Sequence, residues 1–542
     1  MSNHAINTKK FIRLGRTKDG DLKIVLYAPL QENLGKIECR VFQNKVQVFS
    51  NTTSPINLLI GNYLWVVKNL IDSMEYQYRF YQNGEELFLS PYLSQSDLKG
   101  IYYSFGQLKN PFLFASCHGI HYSDNPWGMM KKLFARIQNK VKPVSDFLRA
   151  GDQYYCDKIA SVHIPLLETE ITEEKIISLR KDLIQNAFEH MDNPELQKAL
   201  AQVPSLWIGD DHDFDDGWGS SPLRFENEKL KPAWEIYRKE VIELYKQVQQ
   251  VGNPEPIFEK PESSFSWSLE SKEMAFFALD LRTERTISPA KIMDTDSKQA
   301  LLNGLTACQS KVIFIISPIL PFKNDPDKED FTQNLGKAAR EFLAAKEPTD
   351  KNILQKIGFW FRNTFNGQIK EIEGIEDDAS DSLTAKENRP FLAELLECLQ
   401  EVNERGQKII FLSGDVHNAS SVEAEITSEG KTWKTYLFIS SPLSYKPMDR
   451  MVEAKYRKVG ETVLALKNDL QLKFFVHSPQ SDRNFGEIRP EMLLHGYNGT
   501  FILHQEKSES PRLMPVETKV VDLVELQQKE QLSMTRNPDL DL

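Results

Sequence analysis

Cysteine is scarce, with five in 542 residues, at positions 39, 117, 156, 308 and 398. An odd, sparse set without paired spacing excludes a disulfide framework and fits a reducing compartment. Long apolar runs are missing too. The longest, Val312 to Phe322, is broken by Ser317, Pro318 and Pro321, and it falls far short of the roughly 20 residues that span a bilayer. Nor is there an excess of positive charge. The net charge of -11 argues against broad electrostatic capture of nucleic acid or of an anionic membrane. The stretch MSNHAINTKKFIRLGR lacks the apolar core of a secretory signal, so the cytoplasm is the expected location. What is present, 40% hydrophobic and 26% charged residues, is ordinary globular composition. The length implies two or three packing units.

Residues 10 to 95 read as all-β. KIVLYAP, IECRVFQ, VQVFS, YLWVVKN and YQYRFYQ are short, β-rich and partly alternating, with turn residues such as Asn83-Gly84 between them. They predict a small antiparallel sandwich over residues 1–100. From about 110 the pattern changes. FLFASC (112–117), SLWIG (205–209), FFALDL (276–281), KVIFIISP (311–318) and KIIFLSG (408–414) are candidate buried strands. Helical spacing fills the gaps, with Ile176, Leu179, Leu183, Ala187 and Met191 on one face, then Trp234, Tyr237, Val241, Leu244, Tyr245 and Val248 on another. A third helix opens at Pro390 and stops near Gly406. The alternation predicts a layered α/β sandwich over 108–510. A charged, partly aromatic stretch at 323–380 reads as an insertion, and 511–542 as a peripheral amphipathic helix around Val520 to Leu526 with a frayed tail.

Several of these strands run into polar residues of one kind. FLFAS leads to Cys117-His118-Gly119, SLWIG to Asp210-Asp211-His212-Asp213, and KIIFLSG to Asp415-Val416-His417, while Gly151-Asp152-Gln153-Tyr154-Tyr155-Cys156-Asp157 makes a further acidic turn. Ligands of open α/β sheets bind at the carboxyl ends of strands. Four segments would therefore converge on one cluster of Asp, His, Tyr and Cys, which is the donor set of a metal site. Bound cations would also answer the crowding of five aspartates between Asp210 and Asp216.

An EF-hand does not account for that crowding. Counted from Asp211, the loop's required glycine is Asp216 and its bidentate glutamate is Pro222. A dinuclear hydrolase accounts for it better. Two metals roughly 3.5–4 Å apart need a shared carboxylate, ligands on each side, and open positions for water and substrate. A hydroxide held by the metals attacks phosphorus in line, and a nearby histidine protonates the leaving group.

At SCHG, GDQYYCD, GDDHD, FFALDLRTER, LSGDVH and ISSP, in that order, the sequence resembles the PhoD-like (alkaline phosphatase D) branch of the metallophosphoesterases. The resemblance spans about 110–445 and implies a metallophosphoesterase-type α/β sandwich behind an N-terminal β-sandwich. It implies Asp152 as the bridging ligand, with Tyr155, Cys117, Asp211, Asp415 and His417 as further metal ligands. By the same resemblance His212 contacts phosphate and aids departure of the leaving group. Arg282 is assigned to catalysis, and Arg285 and His118 to substrate binding. The implied cofactors are two or more metal ions, iron with calcium, with manganese or zinc also compatible. The implied substrate is a phosphomonoester or a phosphodiester.

Some positions depart from the family pattern. Tyr154 stands where Ile or Leu is usual and Cys156 where a small residue is, and Cys156 is expected to be packing. The Asp-x-Trp commonly found ahead of the GDVH strand has no clear counterpart, since Asp381 is followed by Ser382. A different class of function stays open beside the hydrolase: a catalytically silent binding or scaffold protein on the same fold.

Overall fold

The computed structural model describes residues 9–30, 35–94, 96–219, 229–260, 264–287, 290–323, 381–414, 417–447, 461–467, 469–490 and 501–514. The expected insertion, apart from Lys323, and the stretch from Val520 onward lie outside them, as does Asp415.

The amino-terminal strands pair as two antiparallel sheets. One contains β1 (Phe11–Arg16), β2 (Leu22–Tyr27) and β5 (Asn62–Val67). The other contains β3 (Ile37–Gln43), β4 (Val46–Thr53), β6 (Met74–Gln82), β7 (Glu85–Glu86) and β8 (Lys99–Tyr102). Ile12, Leu14, Ile24 and Trp65 pack against Val41, Tyr78 and Phe80 between the sheets.

Strands β1 and β2 are buried on both faces. Alternation along a strand sends Phe11, Val25 and Tyr27 the other way, into the core beneath the helices. Arg13 on β1 donates to the carbonyls of Ser205, Val248 and Gln249 and to Asn253 Oδ1. Arg16 pairs with Asp146 at 2.5 Å. The sandwich is thus fastened to the rest of the chain by buried cations.

Two further sheets lie face to face. In the first, β9 (Phe112–Ala115), β10 (Phe147–Ala150) and β11 (Ser205–Ile208) run parallel. The second is eight-stranded and comprises β12 (Trp267–Glu270), β13 (Met274–Ala278), β16 (Val312–Ser317), β17 (Lys408–Ser413), β18 (Ala419–Ser428), β19 (Lys431–Ser440), β20 (Thr462–Ala465) and β21 (Leu470–Gln480). A small ribbon, β14 (Thr286–Ile287) with β15 (Ala290–Lys291), sits apart. Antiparallel β22 (Asn484–Ile488), β23 (Phe501–Gln505) and β24 (Arg512–Met514) complete the first sheet, in the order β11-β10-β9-β22-β23-β24. Residues 512–514 therefore belong to the sheet and not to a peripheral tail.

Phe112, Phe114, Leu148 and Leu206 meet Phe276, Phe314, Ile410 and Phe438 between the two sheets. The outer face of the first sheet is covered by α1 (Met130–Ile137), α2 (Asp157–Thr169), α3 (Glu173–Glu189), α4 (Pro194–Leu200) and α5 (Lys231–Val248). Helices α6 (Thr295–Ala307) and α7 (Arg389–Glu404) cover the second. Leu179, Leu183 and Ala187 are buried on α3, the face that the periodicity predicts. Proline stands in the first turn of both α5 and α7, where its missing N–H is harmless. No helix among the described residues is long and apolar enough to cross a membrane.

Strand β22 is tied to α1 through Glu487, whose side chain is 1% exposed. It accepts from Arg136 Nε at 2.7 Å and Nη2 at 3.0 Å, from His504 Nε2 at 2.9 Å and from Arg489 Nε at 2.9 Å. Burial alone would raise this carboxyl, but the bonds from His504 and Arg136 and the arginine charges hold it well below the usual carboxylate range. A depressed carboxylate stabilises the fold above its unfolded pKa of about 4.3 and loses that contribution as pH falls. Glu487→Gln should lower stability at neutral pH by about 3 kcal/mol, because it leaves Arg136 buried without its charge partner. Urea melts of the variant should also show a shallower decline below pH 4 than those of the parent.

Candidate metal centre

Because β9, β10 and β11 are parallel, their carboxyl ends share one edge, and β17 delivers its own end to the same place. Three residues there adopt left-handed backbone: Cys117 (φ 56°), Asp152 (φ 57°) and His417 (φ 50°). Each costs about 1–3 kcal/mol outside glycine, and such strain gathers at functional sites. The surroundings hold it in place. Cys117 N donates to Gly151 O at 3.3 Å and His118 N to Asp152 O at 2.8 Å. Asp213 Oδ1 accepts from Gln153 N at 2.7 Å and Tyr154 N at 3.0 Å. Gly414 is required for close approach, since a Cβ there would lie 2.1 Å from Ser116 Oγ and 2.9 Å from Ala150 O.

Two groups of ligand-type atoms form at this edge, Cys117 with Asp152 and His417, and Asp152 with Asp211 and His212. Within each group the atoms lie inside 4.8 Å of one another, and Asp152 is common to both. Its Oδ2 accepts from Cys117 Sγ at 3.3 Å and from Tyr155 Oη at 3.1 Å. Oδ1 of Asp152 is buried without a hydrogen bond, while Oδ1 of Asp211 has Arg282 Nη2 at 3.3 Å as an ion-pair partner. Leaving a buried acceptor unmade is costly. A bound cation would satisfy that oxygen of Asp152, so the residues present fit a metal ion.

The electrostatics agree. Burial, with Asp210, Asp211 and Asp213 nearby, pushes the Asp152 carboxyl well above its ordinary value, against the opposing pull of His212. Burial likewise raises Asp210 to about 7 and Asp213 to about 6. Tyr155 is raised by burial and then by Asp152 and Cys117. Added positive charge reverses all of these tendencies. His417 is lowered to about 3 by burial and by His212, so it stays neutral, as a ligand must.

Behind His212 stands Asp157, the first residue of α2. Its Oδ1 lies 2.9 Å from His212 Nδ1 and also accepts from Asp216 N at 2.7 Å. Burial lowers the His212 imidazole, but Asp157, Asp211 and Asp152 outweigh it and raise it well above its ordinary value. The aromatic rings form a row: His212 stacks on Tyr155 at 4.4 Å, Tyr155 on Tyr445 at 5.2 Å, and Tyr445 on His417 at 4.0 Å.

Comparison with known proteins decides the family. Residues 112–482 match the PhoD-like phosphatase family. The chain belongs to this family. It is 25% identical over 433 residues to the Uncharacterized protein YGR266W of Saccharomyces cerevisiae, covering 67% of this chain and 55% of the yeast protein. The chain thus spans about half the length of that relative. A solved structure of PhoD shares its fold, with a TM-score of 0.57 and 12% identity over 99% of both chains. A purple acid phosphatase from seeds of yellow lupin (Lupinus luteus) is more distant, with a TM-score of 0.49 and 10% identity over 94% of this chain and 74% of that one.

In this PhoD-like chain the other expected site residues fall in several places. Arg282 does not present its fork to substrate. It is 0% exposed, donating through Nε to Asp210 Oδ1 at 2.5 Å, through Nη2 to Asp381 Oδ2 at 2.5 Å and through Nη1 to Trp218 O at 3.2 Å. Arg285 is also buried and donates to Asp381 Oδ1 at 2.6 Å. His118, expected to touch substrate, is fully buried, with Nε2 at 2.7 Å from His190 O and Nδ1 at 2.8 Å from Ser444 Oγ. All three side chains are buried and bonded to protein, which departs from the roles expected of them. Cys156 is buried in the helical core, as a packing residue would be.

Three site residues went unassigned in the sequence. Asp381 neutralises two arginines, and Asp157 bonds His212. Tyr445 lies three residues beyond the ISSP block. Asp157 carried a usable signal, its place five residues after Asp152 in the same turn. Asp381 carried a partial one, as an aspartate ahead of the GDVH strand without the following Trp, and Tyr445 carried none that is local.

Proposed function

We propose that this protein is a metal-dependent phosphoester hydrolase acting on phosphomonoesters or phosphodiesters at a dinuclear centre. The supporting observation is the single buried carboxylate, Asp152, shared by two ligand groups. Asp152 would bridge two ions, with Cys117, Tyr155, His417, Asp211 and Asp415 sharing the remaining positions. Thiolate, phenolate and imidazole suit iron, and carboxylate oxygens suit calcium, with manganese or zinc as alternatives. Bound cations would supply neutralisation of the phosphoryl oxygens and an acidified water as nucleophile.

The chain's own part is positioning and proton transfer. Asp157 fixes the His212 ring through Nδ1, which leaves Nε2 to hold a proton for the departing oxygen. The strained turns at Cys117 and Asp152 aim their side chains at one another. A cytoplasmic setting goes with this reading, supported by five free cysteines, four of them buried.

Elemental analysis of purified protein, paired with assays on nitrophenyl mono- and diesters, tests the proposal. Bound metal and hydrolysis of at least one ester are expected. Absence of both under every metal supplement would point instead to a scaffold. Asp157→Asn should keep its metal and lose about 10- to 100-fold in kcat, the usual effect of removing a residue that orients a site histidine.

A further inference from the structure

A phosphoester beside Asp152 needs hydrogen-bond donors for its non-bridging oxygens. Beyond His212, the three residues expected to supply them are otherwise engaged. His118 has both ring nitrogens bonded in the interior, Arg282 is enclosed by Asp210, Asp381 and Trp218 O, and Arg285 is tied to Asp381.

Tyr445 is placed differently. It is half-buried, and its hydroxyl has no hydrogen-bond partner among the described residues. Its ring is held in the row of aromatics, stacked on His417 at 4.0 Å, on Tyr155 at 5.2 Å and on Tyr122 at 5.5 Å. Its backbone N donates to Cys117 O at 3.1 Å, which locks it to the strand end that carries the thiol. His417 belongs to one ligand group, and Tyr155 bonds the Asp152 common to both, so Tyr445 borders the two groups.

We infer that Tyr445 is a substrate-contacting residue whose hydroxyl donates a hydrogen bond to a non-bridging oxygen of the bound phosphoester. The inference rests on the hydrolase reading for its substrate, but not for its geometry. A phenol, with an ordinary pKa of about 10, keeps its proton at neutral pH and can donate it in a hydrogen bond. A donor held rigidly by stacking needs no reorganisation when substrate arrives, which is the condition for effective stabilisation of developing charge.

Tyr445→Phe keeps the ring stack and removes only the hydroxyl. It should retain wild-type metal content, lose about 10- to 100-fold in kcat/KM on nitrophenyl phosphate, and weaken the binding of inorganic phosphate by a similar factor. Phosphate affinity is read by calorimetry on metal-loaded protein, independently of turnover. Unchanged phosphate affinity in the variant would overturn the inference. So would loss of metal, which would make Tyr445 a support of the centre. If the wild type hydrolyses neither ester, the hydrolase reading fails by itself. In that case phosphate affinity still decides: a weakened variant supports the contact, and an equal affinity, or no binding by either protein, removes it.

Discussion

Asp152→Asn should leave the protein without bound metal and reduce phosphoester hydrolysis by about 10³-fold or more, because the one carboxylate common to both ligand groups is gone. Asn keeps the shape of the side chain and supplies one neutral oxygen where two charged ones stood. The left-handed turn at 152 tolerates Asn well, so the fold should survive. A second readout runs in the opposite direction. Without metal, a buried Asp152 whose pKa is raised opposes folding when ionised, more so as pH rises. The metal-free variant should therefore melt above the metal-free parent, and the parent should gain more from added metal. Such an exchange of stability for function is expected where like charges are held together for a ligand. Wild-type metal content and turnover in Asp152→Asn would sink the proposal.

Arg282→Met should destabilise the protein by roughly 3–5 kcal/mol, since it leaves Asp210, Asp211 and Asp381 buried without their common cation. Thermal melting, followed with metal present, should fall by about 5–10 °C. Arg282→Lys should recover only part of this, because an ammonium cannot reach Asp210, Asp381 and Trp218 O together. The pair of variants separates two roles for the residue. An unchanged melting temperature with a KM raised more than about 10-fold would mean that the guanidinium reaches substrate after all.

Much of this molecule is legible along the chain. Leu179, Leu183 and Ala187 fall on the buried face of α3, and KIIFLSG ends where β17 ends, because period and punctuation are local properties. The polar residues at strand ends are legible for the same reason. Once the strands are parallel, their carboxyl ends must share an edge. Two boundaries escaped that logic. Strand β24 reads as tail because three residues are too few to show a period, and it is a strand only by pairing with β23. Strand β1 reads weakly because two cations interrupt the apolar residues of FIRLGR, although those cations are the buried Arg13 and Arg16.

By itself the sequence determined the layered α/β class, the sandwich ahead of it, and the strand-end set of Cys117, Asp152, Asp211, His212 and His417. Only the tertiary structure decided which of the crowded charges are free. Asp213 is spent on the backbone of the 153–154 turn, and Asp210 and Asp211 on Arg282, whereas Asp152 keeps Oδ1 buried without a hydrogen bond. The physical reason is that burial and pairing depend on distance in space, and the partners concerned lie far apart in the chain. Arg282 and Asp381 are 99 residues apart yet bond at 2.5 Å. No window along a sequence contains that contact, and without it the family resemblance assigns Arg282 to catalysis.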